Sequence, residues 1–298
     1  MRHRGSVVVA AVIPVALAAW PAQAQVAAPP VRISVIDCSA EQFVAEGMAQ
    51  ARAQTGNWRA AFALLEDMGL KAADVSGAAQ LGQIDLSNTD LLIVRKCTAD
   101  TRKSLADNAA VLAEFVAGGG TIFQVTPTDQ EQQVVDWLPE PLGAMITDLD
   151  FSVVHVEDPG HPLFTTPNLL SAAEIEQMCQ QVGTPPPAPA GGGPAPPPPT
   201  SPVSWESFQA FRNAKLLVTD RQQGARVPEV PAAGLLEFEH GNGRILLSSI
   251  RLFGAYAGPG TDMTKDVVKW FVDNLVSYAH LVRGGQAPKV EPLTTFPW

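Results

Sequence analysis

From Val31 to Val125 the chain alternates short apolar runs with stretches of helical periodicity. Ile33-Ser34-Val35-Ile36, Leu91-Leu92-Ile93-Val94 and Thr121–Val125 each read as a strand buried on both faces. Runs of this kind separated by helical patterns predict βαβ units and a parallel sheet. A first helical stretch runs to Ala51. Asn57 is placed to cap a second helix, which carries Trp58, Ala61, Phe62, Leu64, Leu65 and Met68 at helical spacing and stops at Gly69. Lys71–Val75 fits a short edge strand. Thr101 or Ser104 opens a further helix with Leu105, Leu112, Phe115 and Val116 as its buried stripe. Gly118, Gly119 and Gly120 follow that helix and precede a strand, so they are a helix stop. A phosphate loop needs the opposite order, with strand leading into helix.

The second half reads differently. Beyond Pro127, Val134, Val135 and Trp137 suggest a short helix, and Phe151–Val156 a strand. A helical patch holding Cys179 follows the loop Asp158–Asn168. Thr184–Pro202 is almost entirely Pro, Ala and Gly. It cannot bury enough apolar surface to fold, and it reads as a flexible surface insertion with polyproline II character. Strands are predicted at Lys215–Val218, Gly234–Glu239 and Arg244–Ile250. His240-Gly241-Asn242-Gly243 joins the last two as a hairpin, because Asn and Gly accept positive φ. An amphipathic helix from Asp262 to about Leu281 closes the pattern, and Gly284–Trp298 reads as a loose tail. The C-terminal part has no second layer of its own, so a single domain over residues 31–283 is expected.

The N-terminus adds a location. Arg2, His3 and Arg4 precede a short apolar stretch broken by Pro14, and Pro21-Ala22-Gln23-Ala24 supplies a small-x-small cleavage pattern. Residues 1–24 therefore read as a Sec-type signal peptide and 25–30 as a linker, which makes the chain periplasmic or secreted with no integral membrane segment after cleavage. Without Arg2 and Arg4 the formal charge of −10 becomes −12. An acidic chain with no large basic cluster is a poor binder of nucleic acid or anionic lipid. Three cysteines are too few for a disulfide scaffold, so a hydrophobic core must hold the fold.

Four stretches in order resemble the class I glutamine-amidotransferase-like family, near its ThuA-like group. They are Asp90–Val94, Leu112–Phe123, His161–Phe164 with Pro167-Asn168, and Gly241–Ser248 through Leu252-Phe253, with Asn274-Leu275 in the closing helix. The resemblance spans most of residues 31–281. It implies an α/β, flavodoxin-like, mostly parallel sheet with helices on both faces, a C-terminal antiparallel hairpin and a closing helix. It also implies a nucleophile on a Gly-x-Cys-x-Gly elbow, whose glycines permit the strained turn. Cys97 lies in Arg95-Lys96-Cys97-Thr98-Ala99 and Cys38 in Ile36-Asp37-Cys38-Ser39-Ala40, with no glycine in either. The sequence therefore resembles a non-catalytic, secreted member, and no cofactor is implied.

In an open α/β sheet, ligands bind at the carboxyl ends of the strands. Asp37, Cys38, Arg95, Lys96 and Cys97 fall there, and Asp37 and His161 are the weak acid/base candidates. In a flavodoxin-like order the first and third strands are neighbours. Cys38 and Cys97 could then approach to about 5 Å and bridge in an oxidising compartment. That bridge would close a loop of 59 residues, from 38 to 97, and stabilise by about 4 kcal/mol in the chain-entropy account. The alternative is two unpaired, half-buried thiols. His155, Glu157, Asp158 and His161 are the densest set of potential metal ligands, but His161-Pro162 more simply anchors a turn, and no metal is expected. Arg95, Lys96, Arg102 and Lys103 form a small basic island suited either to an anionic ligand or to salt bridges with Asp100 and Asp107. Trp58, Trp137, Trp205 and Trp270 read as core.

The expected function is a binding or accessory module for a small molecule or a partner protein, open to oligomerisation. The competing reading is a ThuA-like hydrolase or carbohydrate-processing enzyme that uses Asp37 and His161.

Overall fold

The computed structural model describes residues 30–37, 59–95, 99–125, 133–151, 153–178, 180–182, 200–202, 205–224, 231–250, 252–257 and 261–294. All but Pro30 fall in one contact unit, Val31–Trp298. In chain order the elements begin with β1 (Ile33–Ile36), α1 (Ala60–Asp67), β2 (Ala72–Asp74), α2 (Ser76–Gln80) and β3 (Leu91–Arg95). Next come α3 (Ala99–Asp107), α4 (Ala109–Ala117), β4 (Thr121–Val125), β5 (Gln133–Val134), β6 (Gly143–Phe151) and β7 (His155–Val156). The short helices α5 (Pro162–Thr165) and α6 (Ala172–Gln177) precede β8 (Gln180–Val182), β9 (Thr200–Pro202), β10 (Trp205–Arg212) and β11 (Ala214–Gly224). The chain then forms β12 (Pro231–His240), β13 (Gly243–Ser248), α7 (Leu252–Ala257) and α8 (Asp262–Arg283).

An 11-stranded mixed sheet organises the molecule, in the order β2-β1-β3-β4-β13-β12-β10-β6-β5, with β11 joined to β12 and β7 to β11. β2, β1, β3, β4 and β13 are mutually parallel. This is the flavodoxin-like order, with the expected edge strand at β2. Side chains alternate across it. Ile33, Val35, Leu91, Ile93 and Phe123 enter one core layer with α1, α7 and α8. Ile36, Leu92, Val94 and Ile122 enter the other with α3 and α4. Helices therefore cover both faces, and the apolar runs are continuous because neither face of these strands meets water.

α8 carries the closing stripe. Val267, Val268, Phe271, Leu275 and Tyr278 are buried, Thr261 caps the helix by accepting from the Thr264 N–H, and His280 and Arg283 complement the dipole in the last turn. Asn274, on the same face, ties down the 161–168 loop. Its amide donates to the Leu163 and Asn168 carbonyls, and its oxygen accepts the Asn168 N–H.

Several expectations fail on the antiparallel side. The hairpin β12–β13 forms as expected, with Gly241 at φ 59°. However, the antiparallel part continues well past it through β10, β6, β5, β11 and β7. Gln133-Val134, expected in a helix, is a strand paired with β6. The Val135 N–H continues that ladder to the Ala144 carbonyl. Phe151–Val156 is not one strand: β6 ends at Phe151, and His155-Val156 pairs with β11 instead. Thr200–Pro202, expected inside the flexible insertion, forms a two-stranded ribbon with β8. The tail is not loose as far as Leu293, which exchanges backbone hydrogen bonds with Ala214. Trp137 is buried, whereas Trp270 is exposed on α8.

The helix expected to open at Thr101 or Ser104 starts at Ala99 and breaks at Asn108. There the Asn108 side chain leaves the helix ladder. It donates to the Ala79 and Ser104 carbonyls and accepts the Ile84 N–H, which pins the 81–90 loop to the helix pair.

Candidate functional site

The β1–β3 register brings charged residues together at both ends of the strand pair. Ile33 lies opposite Leu91, and Ile36 opposite Val94. The residues just outside therefore also meet, Arg32 with Asp90 and Asp37 with Arg95. The charges are reversed at the two ends, so a slip of register would break both pairs.

At the carboxyl end the Arg95 guanidinium lies 3.3 Å from the Asp37 carboxylate, and the Asp37 N–H donates to the Ser76 hydroxyl. Cys38, Lys96 and Cys97 lie outside the described residues. The adjacency of β1 and β3 that a crosslink requires is present.

His161 is not at this edge. It is 1% exposed, deep beneath the sheet. Its Nδ1 accepts the Leu163 N–H and so caps α5, the turn-anchoring role anticipated for it. Its Nε2 lies 3.3 Å from Glu237, and its ring tilts against Tyr278 at 4.9 Å. Asp37 stands with Arg95 and Ser76 at the end of β1, and His161 with Glu237 and Tyr278, so the two acid/base candidates lie in different settings. The His155, Glu157, Asp158 and His161 set also disperses. Glu157 accepts from Thr219 and Asp158 pairs with Lys215. Among the described residues no group of three or more His, Cys, Asp or Glu could hold a metal ion. In the basic island, Lys103 pairs with Asp107 on the same helix face.

Glu237 centres a buried polar network that sequence reasoning missed. Tyr278 donates to its carboxylate, and Arg244 lies 3.6 Å away. Arg244 also meets Glu239 at 3.1 Å and donates to the Pro288 carbonyl. Burial above all, then the Glu237 charge, pushes the Tyr278 hydroxyl far above its usual range. With Glu237, His161 and Tyr278 all sealed from water, this network clamps α8, the β12–β13 hairpin and the tail together.

Among the described residues, an open cavity lies at the opposite, amino edge of the parallel strands. It has a volume of about 590 Å³ and is lined by Arg32, Asp90 and Arg283, by the 84–89 loop, by α4 and by Gly118–Gly120. This volume is in the range of small-molecule pockets. Asp90, 4% exposed, receives the Arg32 N–H at 2.8 Å, the Arg32 side chain at 3.0 and 2.7 Å, and Arg283 at 2.7 Å. Ile84, Leu86, Val111 and Phe115 give the cavity an apolar wall. Gly120 lets the Phe115 ring lie against the backbone there, since a Cβ would sit 2.4 Å from that ring and would displace it.

Burial opposes charge on Asp90, but the Arg32 hydrogen bonds and then the Arg283 charge outweigh it. The carboxyl is held below its ordinary range. A depressed carboxylate stabilises the fold above its unfolded pKa, and that contribution is lost as pH falls through the folded value. Denaturant midpoints between about pH 3 and 7 should therefore show a shallower acid decline for Asp90→Asn than for the unaltered chain, from a lower plateau near neutrality. Parallel profiles for the two proteins would contradict the assignment.

No family model and no curated protein matches the sequence. Solved structures do match. A protein described as ThuA-like, from Bacteroides uniformis, aligns with 85% of this chain and 95% of its own length at 11% identity, with a TM-score of 0.40. A β-galactosidase from Rahnella sp. R3 aligns with 83% of this chain at 12% identity and a TM-score of 0.40. Another, from Bacillus circulans sp. alkalophilus, aligns with 85% at 11% identity and 0.37. The chain spans 31% of each β-galactosidase. No helix among the described residues is long and apolar enough to cross a membrane.

The cavity residues had a signal in the sequence. Arg32 and Asp90 each precede an apolar strand run, so pairing the runs in register puts them side by side. Arg283 had no such signal, because its position depends on how α8 crosses the sheet.

Proposed function

We propose that this chain is an extracytoplasmic α/β binding or accessory module of the amidotransferase-like type, and that its ligand occupies the amino-edge cavity. The cavity itself carries this reading. It is open, of small-molecule size, and joins fixed charges to an apolar wall. At the carboxyl edge, Asp37 and Arg95 are engaged with each other. A hydrolase would need Asp37 and His161 to converge within hydrogen-bond reach of one substrate, yet His161 is enclosed by Glu237, Phe164 and Tyr278. The signal-peptide pattern at residues 1–24 supports an oxidising, extracytoplasmic setting.

The test compares the chain with a Val111→Trp variant, in which an indole fills the cavity from an exposed helix position. Both are incubated with periplasmic extract, washed and denatured, and the released small molecules are identified by mass spectrometry. A species retained by the unaltered chain and lost from the variant supports the reading. Equal retention by both, or none by either, overturns it.

A further inference from the structure

Resting on that reading of the cavity, we infer that the site selects a singly charged carboxylate carried on a compact apolar body. The argument begins with Asp90. Arg32 places its main-chain N–H and two side-chain nitrogens on this carboxylate, and Arg283 places one more. A carboxylate has about four acceptor positions, so Asp90 has none left for a ligand. It is a positioning residue that holds two guanidiniums still at the cavity wall.

Two cations on one anion leave an excess positive charge at this point of the wall, while Asp85 and Glu114 on the rim bring the formal charge of the whole lining to −1. Arg283 is where that excess is available. Among the described residues its side chain makes one hydrogen bond, from Nη1 to Asp90. A guanidinium has further N–H donors in a planar fork matched to carboxylate geometry. Because Asp90 already fixes the fork, little side-chain freedom remains to be lost on binding.

The rest of the lining limits the ligand. Ile84, Leu86, Val111 and Phe115 offer apolar contact to whatever carries the charge. The Gly118, Gly119 and Gly120 N–H groups all donate to carbonyls of the preceding helix, so they form no anion nest. They sit at the negative end of the α4 dipole. Glu114 and Asp85 are exposed on the same lining. A phosphate or polyanion would meet this negative rim, whereas one carboxylate turned toward Arg283 avoids it. The apolar body then lies toward Phe115.

Phenylacetate, its neutral amide 2-phenylacetamide and the cation phenethylamine form a matched probe set for calorimetric or ligand-observed NMR titration of the purified chain. Phenylacetate should bind saturably and about tenfold or more tightly than the amide, with phenethylamine weakest. Arg283→Gln should erase the acid-over-amide preference, and Val111→Trp should abolish binding of both. The acid–amide comparison on the unaltered chain needs no variant, so misfolding of Arg283→Gln leaves the test intact. Equal binding of acid and amide, both lost in Val111→Trp, would overturn the carboxylate selection while leaving the binding module standing. If no probe binds, or if binding survives in Val111→Trp, the cavity assignment falls as well.

Discussion

Glu237→Ala should lower the unfolding free energy by about 3–5 kcal/mol. Its carboxylate lies 3.3 Å from the buried His161 imidazole, and it accepts the Tyr278 hydroxyl. Removing it leaves the Tyr278 donor buried without this acceptor, and leaves Arg244, itself 5% exposed, with Glu239 as its one remaining carboxylate among the described residues. A desolvated cation that loses a partner is far more damaging than a surface pair broken in water. Glu237→Gln keeps the volume and still accepts from Tyr278, so it should cost less. Urea denaturation of both variants checks the order. A loss under about 1 kcal/mol for the alanine variant would mean that water reaches this network.

Gly243→Ala should be comparably severe, at about 3 kcal/mol or more, for a steric reason. A Cβ at this position would lie 2.1 Å from the Val116 carbonyl oxygen and 2.3 Å from that of Gly120. Both are backbone atoms, so no side-chain rotation relieves the overlap. The close approach exists because the β12–β13 hairpin docks on the end of α4: the Asn242 N–H donates to the Ala117 carbonyl, and the Arg244 N–H to that of Gly120. Gly77→Ala is the control. It sits in α2 with nothing within 4 Å of the added carbon. It should gain about 0.4–1 kcal/mol by restricting the unfolded chain. Similar melting temperatures for the two variants would contradict the docking geometry.

The parallel half of the fold was legible because its strands are buried on both faces. Apolar runs such as Leu91–Val94 are the pattern of strands covered on both faces, and the Gly118–Gly120 stop marks where the following strand begins. The antiparallel half was less legible, since strands such as Gln133-Val134 are too short for a period to show. The Gly143–Phe151 strand mixes Asp148 and Asp150 with its apolar residues. Tail docking at Leu293 depends on β11 offering a free backbone edge, which no local pattern encodes. The amino-edge cavity was hidden for a related reason. The carboxyl-edge rule points to loops after strands, and it drew attention to Asp37 and His161. The Arg32–Asp90 pair lies before the strands, and it emerges only when the β1–β3 register is written out. His161 misled because His-Pro marks a turn equally well on the surface and in the core.

Crystals of the chain grown with phenylacetate test the site assignment most directly. Ordered ligand density with its carboxylate on the Arg283 guanidinium and its ring against Phe115 is the expected result. Density beside Asp37 and Arg95 at the carboxyl edge, with the amino-edge cavity empty, would contradict it.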